Sequence, residues 1–120
     1  MDAKELVREY YEKGAYKDAK VMQGFIHDDL LLQWHSSKGF LQLEKNDLVA
    51  LVSEMQKSYS DARVEISHLI AEGNSVCVRY THYVHAFENP AEETILAHFI
   101  LVWEIKDNKL YKGFLMSQLG

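Results

Sequence analysis

Apolar and polar positions alternate strictly through two stretches, Val76 to Phe87 and Thr94 to Ile105, separated by the polar run Glu88-Asn89-Pro90-Ala91-Glu92-Glu93. The stretches are rich in Val, Ile, Tyr, Phe and Trp, and the chain's single proline lies between them, so the pattern predicts a long antiparallel hairpin. With Phe87 opposite Thr94, one face carries the pairs Val84/Ala97, His82/Phe99, Tyr80/Leu101 and Val78/Trp103. The other carries His85/Leu96, Tyr83/His98, Thr81/Ile100 and Arg79/Val102. The first face is nearly all apolar and aromatic, with His82 as its lone titrating base, so it is expected to be the covered, pocket-bearing side. The second is too apolar for a solvated surface, since Leu96, Ile100, Val102, Tyr83 and Cys77 stand beside Thr81, His85 and His98. A homodimer through this outer sheet face is expected, with Arg79 and Glu104 as diagonal neighbours that neutralise each other.

Elsewhere the pattern predicts three helices and further strands. Asp2-Ala3-Lys4-Glu5 has capping-box spacing, and Ala3, Leu6, Val7, Tyr10 and Tyr11 recur at helical intervals before Gly14. A second helix is expected over Tyr16 to Ile26. Leu30 to His35 reads as a strand with Leu30, Leu32 and Trp34 on one face, and Phe40 to Leu43 as a short strand. Asn46 or a neighbour caps a third helix with a Leu48, Val49, Leu51, Val52, Met55 stripe. Arg63 to Ala71 is a strand with Val64, Ile66, His68 and Ile70 on one face. Lys106-Asp107-Asn108-Lys109 is a tight turn into a last strand, Leu110 to about Gln118, where Gly113 is a candidate bulge and the inward choice among Phe114, Leu115 and Met116 stays open. Helices followed by a strand meander predict an α+β class, a curved antiparallel sheet with the three helices on its concave face.

Composition narrows the picture. A chain of 120 residues with 48% hydrophobic residues is expected to form a single domain over 1–120. One cysteine, Cys77, excludes an intramolecular disulfide and points to a reducing compartment, the cytoplasm. No apolar run reaches the ~18 residues a membrane span needs, and the opening Met1-Asp2-Ala3-Lys4-Glu5 has no basic leader, so neither membrane insertion nor export is expected. A net charge of −5 without a Lys/Arg cluster argues against a nucleic-acid partner. Six histidines raise the question of a metal, yet His82 and His85 lie three apart on a strand and face opposite ways. His27, His35, His85 and His98 lack co-ligands at metal-site spacing, so no metal or cofactor is expected. Glycine-rich phosphate loops, nucleophile elbows and CxxC pairs do not occur.

The order of elements resembles the nuclear transport factor 2-like superfamily, also called SnoaL-like or cystatin-like. The likeness rests on Glu9-Tyr10-Tyr11, Gly14-Ala15-Tyr16 and Gly24-Phe25-Ile26-His27-Asp28-Asp29 before a strand, then on GNSVCVRYTHY and VWEIKDNKL in the second half. It implies a cone-shaped fold with a pocket between helices and sheet, frequent dimerisation through the outer face, and functions from isomerase, cyclase and dehydratase to pure binding. In ketosteroid isomerase-like members a first-helix tyrosine and a protonated strand aspartic acid hold an enolate oxygen, while a first-strand aspartate moves the proton. Tyr10 falls at the tyrosine position. The first-strand aspartate position falls at Trp34, and the other acid falls near Ala97 or Leu101. SnoaL-type cyclases often place an aspartate late in the last strand, where this chain has Met116-Ser117-Gln118.

With those acids absent, His82 is the one inner-face group able to accept a proton near neutral pH, and Tyr10 could donate to a substrate carbonyl. Both have a plain alternative as core side chains, His82 bonded to a tyrosine or a carbonyl and Tyr10 packed in its helix stripe. His68 has the same two readings. Trp34, Tyr80, Phe99 and Met116 are the expected lining of an apolar site for a small hydrophobic or aromatic molecule, or else its filling. Trp103 belongs to the packing. Two functions follow: a small-molecule-binding protein of isomerase, cyclase or dehydratase type acting through His82 and Tyr10, or a non-catalytic binding or interaction domain with a self-filled cone.

Overall fold

The computed structural model describes residues 1–120. Asp2 starts α1 (Ala3–Glu12) by accepting the Glu5 N–H at 2.8 Å, which satisfies one of the free donors of the first turn. Leu6, Val7, Tyr10 and Tyr11 form the buried stripe of α1, and Gly14 turns the chain away in the left-handed region, at φ 72°. The second helix is shorter than the apolar spacing predicts. Asp18 accepts from the N–H groups of Lys20 and Val21 at 3.0 and 3.2 Å and so begins α2 (Ala19–Gln23), leaving Tyr16 outside it on a 3-10 turn, Ala15–Lys17. In α3 (Lys45–Ser58) the Asp47 carboxylate reaches back to the Glu44 N–H at 2.9 Å, and Leu48 and Val52 are buried.

Six strands follow these helices or lie between them: β1 (Ile26–Ser36), β2 (Gly39–Glu44), β3 (Tyr59–Glu72), β4 (Ser75–Ala86), β5 (Asn89–Lys106) and β6 (Lys109–Leu119). They form one curved sheet in the order β2-β1-β6-β5-β4-β3 with the helices against its concave face, an α+β fold. The sheet is mixed rather than wholly antiparallel, because β1 and β6 pair in parallel. More than half of the chain, residues 37 to 108, separates those two strands, so no hairpin turn dictates their relative direction.

In the central β4–β5 hairpin Val78 faces Leu101, Tyr80 faces Phe99 and His82 faces Ala97, a slip of two residues from the expected pairs. An even slip leaves every side chain on its predicted face. The turn is Phe87-Glu88, and the expected loop residues Asn89 to Glu93 continue as β5. Pro90 is tolerated there because β6 pairs with β5 only from Ala97 onward, so no neighbour on that side requires its missing N–H.

Single-residue irregularities do change faces. Ser67 stands between Ile66 and His68, which oppose the consecutive residues Tyr80 and Arg79. The expected row of Val64, Ile66, His68 and Ile70 is therefore broken: His68 and Ile70 are exposed on the outer side and Leu69 packs against the core. Leu96 is likewise the extra residue between Ile95 and Ala97, opposite Tyr83 and His82. It lines the inner side, and Ile95 replaces it outside.

Asp107 and Asn108, at φ 54° and 56°, form the predicted tight turn into β6. Gly113 marks no bulge, since the ladder runs through the pair Trp103–Gly113. A Cβ at Gly113 would meet Trp103 Cζ3 at 2.9 Å and collide with Leu32 Cδ1, so the glycine is there to let the indole lie on the strand. Gly113→Ala is expected to lower unfolding stability by about 1–3 kcal/mol. Gly24→Ala, whose nearest neighbour would be Val21 O at 3.5 Å, should change it by less than about 0.5 kcal/mol; urea titration of both variants checks this.

Candidate functional site

Between the inner sheet face and α3 lies a cavity of about 360 Å³, and 20 of its 25 lining residues are hydrophobic. Leu48, Leu51, Val52 and Met55 of α3 form one wall. Tyr80, His82, Phe99, Leu101, Trp103 and Leu115 of the sheet form the other, while the exposed residues Ser37, Lys38 and Leu41 mark the mouth. No aspartate or glutamate is among the lining residues.

His82 stands in a closed circuit of rings. Tyr11–Tyr16, Tyr16–His82, His82–Phe99, Phe99–Tyr80 and Tyr80–Tyr11 have centroid separations of 6.0, 5.3, 6.1, 5.1 and 5.0 Å. His82 is 4% exposed, and its Nε2 is buried with no hydrogen-bond partner. Burial, reinforced by the Lys17 cation, lowers its pKa to about 4, so the ring is neutral at pH 7. Lys17 itself is held by the Ala62 carbonyl at 2.6 Å and the Asp61 carboxylate at 3.3 Å. The partner that the plain core reading requires for His82, a tyrosine hydroxyl or a backbone carbonyl, is not there for Nε2.

Tyr10 also lines the cavity but is separated from His82 by two rings, Tyr11 and Tyr16. Its ring packs on Tyr11, Phe25 and Trp103 at 4.8, 5.9 and 5.8 Å, and burial raises its pKa well above the ordinary tyrosine value. The same holds for Tyr11, chiefly through burial, and for Tyr80. These hydroxyls are neutral donors at physiological pH. Trp34 is half-buried in the wall, its Nε1 donating to Ser117 Oγ at 2.8 Å.

Met116 does not line the site. The bulge in β6 lies at Tyr111, between Leu110 opposite Ile105 and Lys112 opposite Glu104, so alternation from Gly113 onward sends Leu115, Ser117 and Leu119 inward and Phe114, Met116 and Gln118 outward, and Met116 is 60% exposed on the outer face. His98 also lies outside, exposed, with Nδ1 3.0 Å from Thr81 Oγ1. Sequence reasoning missed Tyr16, Ser117 and the α3 wall. Counting by twos from Leu110 leads to Met116, and only the extra residue Tyr111 brings Ser117 inward; Tyr16 was hidden inside an expected helix.

A helix-covered curved sheet around an apolar cavity defines the cone-fold class of small α+β proteins. The chain belongs to the SnoaL-like domain family, whose profile matches residues 7–112. None of the curated proteins compared matches it. Among solved structures, IdmH of Streptomyces antibioticus, a candidate polyketide cyclase, superposes with a TM-score of 0.79 at 11% identity, over 98% of this chain and 92% of that one. AclR of Streptomyces galilaeus, a candidate hydroxylase, gives 0.79 at 16% identity, over 98% and 79%. An LEH-like epoxide hydrolase of M. tuberculosis gives 0.73 at 17% identity, over 96% and 81%. At such identities the likeness is one of fold.

The burial of His82 carries a pH signature. Between about pH 6.5 and 4 the unfolded chain binds a proton at this position and the folded chain does not, so stability falls as pH falls through that window and the loss levels off below it. The full effect is about 3 kcal/mol. In His82→Leu the acid-induced loss between pH 7 and pH 4 should be smaller than in wild type by roughly this amount, as measured by urea unfolding at the two pH values.

Proposed function

We propose that the chain binds a small, largely apolar, ring-bearing molecule in the cone, with His82 as the group that meets its polar end. The observation that carries this reading is a largely apolar cavity that His82 lines, together with the lack of any partner for its Nε2, which is closed off just behind the wall and is reached by a small turn of the ring. Leaving a buried nitrogen without a hydrogen bond costs about 1–3 kcal/mol, a cost that a ligand oxygen at that atom would relieve. A neutral imidazole in a wall without carboxylates can take a proton from an acidic C–H or O–H and return it elsewhere, the step that isomerisation, ring closure and dehydration share. Tyr10 is the proposed neutral donor at the deep end, with Trp34, Tyr80 and Phe99 as the apolar contacts. The self-filled cone is the weaker reading: one of its two plugs, Met116, points outward, and Trp34 lies in the wall with its indole tied to Ser117.

Thermal-shift measurements against hydrophobic carbonyl compounds and polycyclic phenols test this directly, because a ligand bound only by the native state raises the midpoint. The ligand-induced shift should fall in His82→Ala and persist in His98→Ala. Equal loss in both variants would remove His82 from the site.

The proposed homodimer uses the outer sheet face, and a reducing compartment such as the cytoplasm suits its half-buried free thiol at Cys77. Ile70, Ile95, Ile100, Phe114 and Met116 are 59, 41, 44, 38 and 60% exposed, an apolar set too large for a face that only meets water. The expected neutralisation of Arg79 by Glu104 does not occur within one copy: Glu104 lies opposite Ser75 and Lys112, and the Arg79 guanidinium bonds to Ser67 Oγ at 3.0 Å. Ile100→Lys should convert a dimer-sized species to monomer in sedimentation experiments at micromolar concentration. A wild-type monomer under those conditions would refute the dimer.

A further inference from the structure

The cavity wall offers a second polar position besides His82. Ser117 Oγ accepts the Trp34 indole N–H at 2.8 Å, and its own hydroxyl proton has no protein acceptor among the hydrogen bonds of the structure, so it is free to donate into the cavity that Ser117 lines. Trp34 orients the oxygen and leaves the proton available. Along the sheet Ser117 faces Phe99, which faces Tyr80, whereas His82 faces Ala97, which faces Leu119. The two groups are thus separated by two strand spacings and two residues along the strand, roughly 12 Å between backbones.

We infer that His82 and Ser117 are opposite polar anchors for one flat bicyclic ligand that carries an oxygen function at each end. This rests on the cavity-binding reading above and adds the ligand class and a second binding residue. Size agrees: a dry cavity of about 150 Å³ accepts one benzene ring, and the volume here is about 360 Å³, room for two fused rings with substituents. Hydroxyl groups suit both anchors, since they accept from Ser117 and either donate to or accept from the neutral imidazole.

Calorimetric titration of the full chain with 2,6-dihydroxynaphthalene, 2-naphthol and naphthalene tests the inference. Wild type should bind the diol about tenfold tighter than 2-naphthol, the size of one neutral hydrogen bond. Ser117→Ala should bring the diol down to the 2-naphthol affinity while leaving 2-naphthol unchanged, and Ser117→Thr should restore the difference. Equal wild-type affinities for diol and 2-naphthol, or a Ser117→Ala loss shared by all three compounds, would overturn the two-anchor arrangement and leave cavity binding intact. Failure of wild type to bind any of the three would overturn the cavity reading and this inference together.

Discussion

The indole of Trp103 is the contact on which the rest of the molecule depends. It is 2% exposed, lies against Gly113 of the neighbouring strand, meets the Tyr10 ring of α1, and donates from Nε1 to Tyr11 Oη at 3.3 Å. One side chain thereby joins the centre of the sheet to the first helix. The hydrogen bond is buried, so α1 can seat only where Tyr11 meets it; a helix rotated by one position would leave an indole N–H unpaired in an apolar core. With α1 so placed, Tyr11 delivers its ring to Tyr80 and Tyr16, and the circuit around His82 closes.

The chemistry of the cavity follows from what surrounds it. A histidine on a carboxylate-free wall has nothing to stabilise its cation, and burial beside Lys17 pushes it towards the neutral form. At neutral pH the ring is therefore an uncharged hydrogen-bonding group. The solved structures that share this fold carry names as different as cyclase, hydroxylase and epoxide hydrolase. A common scaffold with different wall residues is the physical basis of that variety, and any activity therefore has to be argued from the wall of this chain.

Much of the architecture was legible because it depends on local rules. The caps at Asp2 and near Asn46, the Asp107-Asn108 turn and the alternation in β4 and β5 each involve residues within a few positions of one another. The two-sidedness of the central hairpin survived even an incorrect pairing, since the slip was even. His82, Tyr80 and Phe99 were therefore placed on the covered face, and His98 on the other. Less legible were features set by one odd residue. Ser67, Leu96 and Tyr111 interrupt the count and move their neighbours across the sheet, and the interruption in β6 falls two residues before Gly113, where it was expected, which is why Met116 was misplaced and Ser117 overlooked.

The sequence by itself determined the order of the helices and strands, that the hairpin has an apolar inner face bearing one base, and that family acids are missing from their usual positions. These follow from periodicity and residue chemistry, which need no knowledge of distant neighbours. Only the tertiary structure decided the parallel pairing of β1 with β6, the survival of an open cavity, the lack of a partner for His82 Nε2, and the joining of Trp34 to Ser117 across 83 positions of chain. Each of these depends on how far-separated strands and helices pack together, and a bulge or a glycine that shifts one side chain by a single residue is enough to change the outcome.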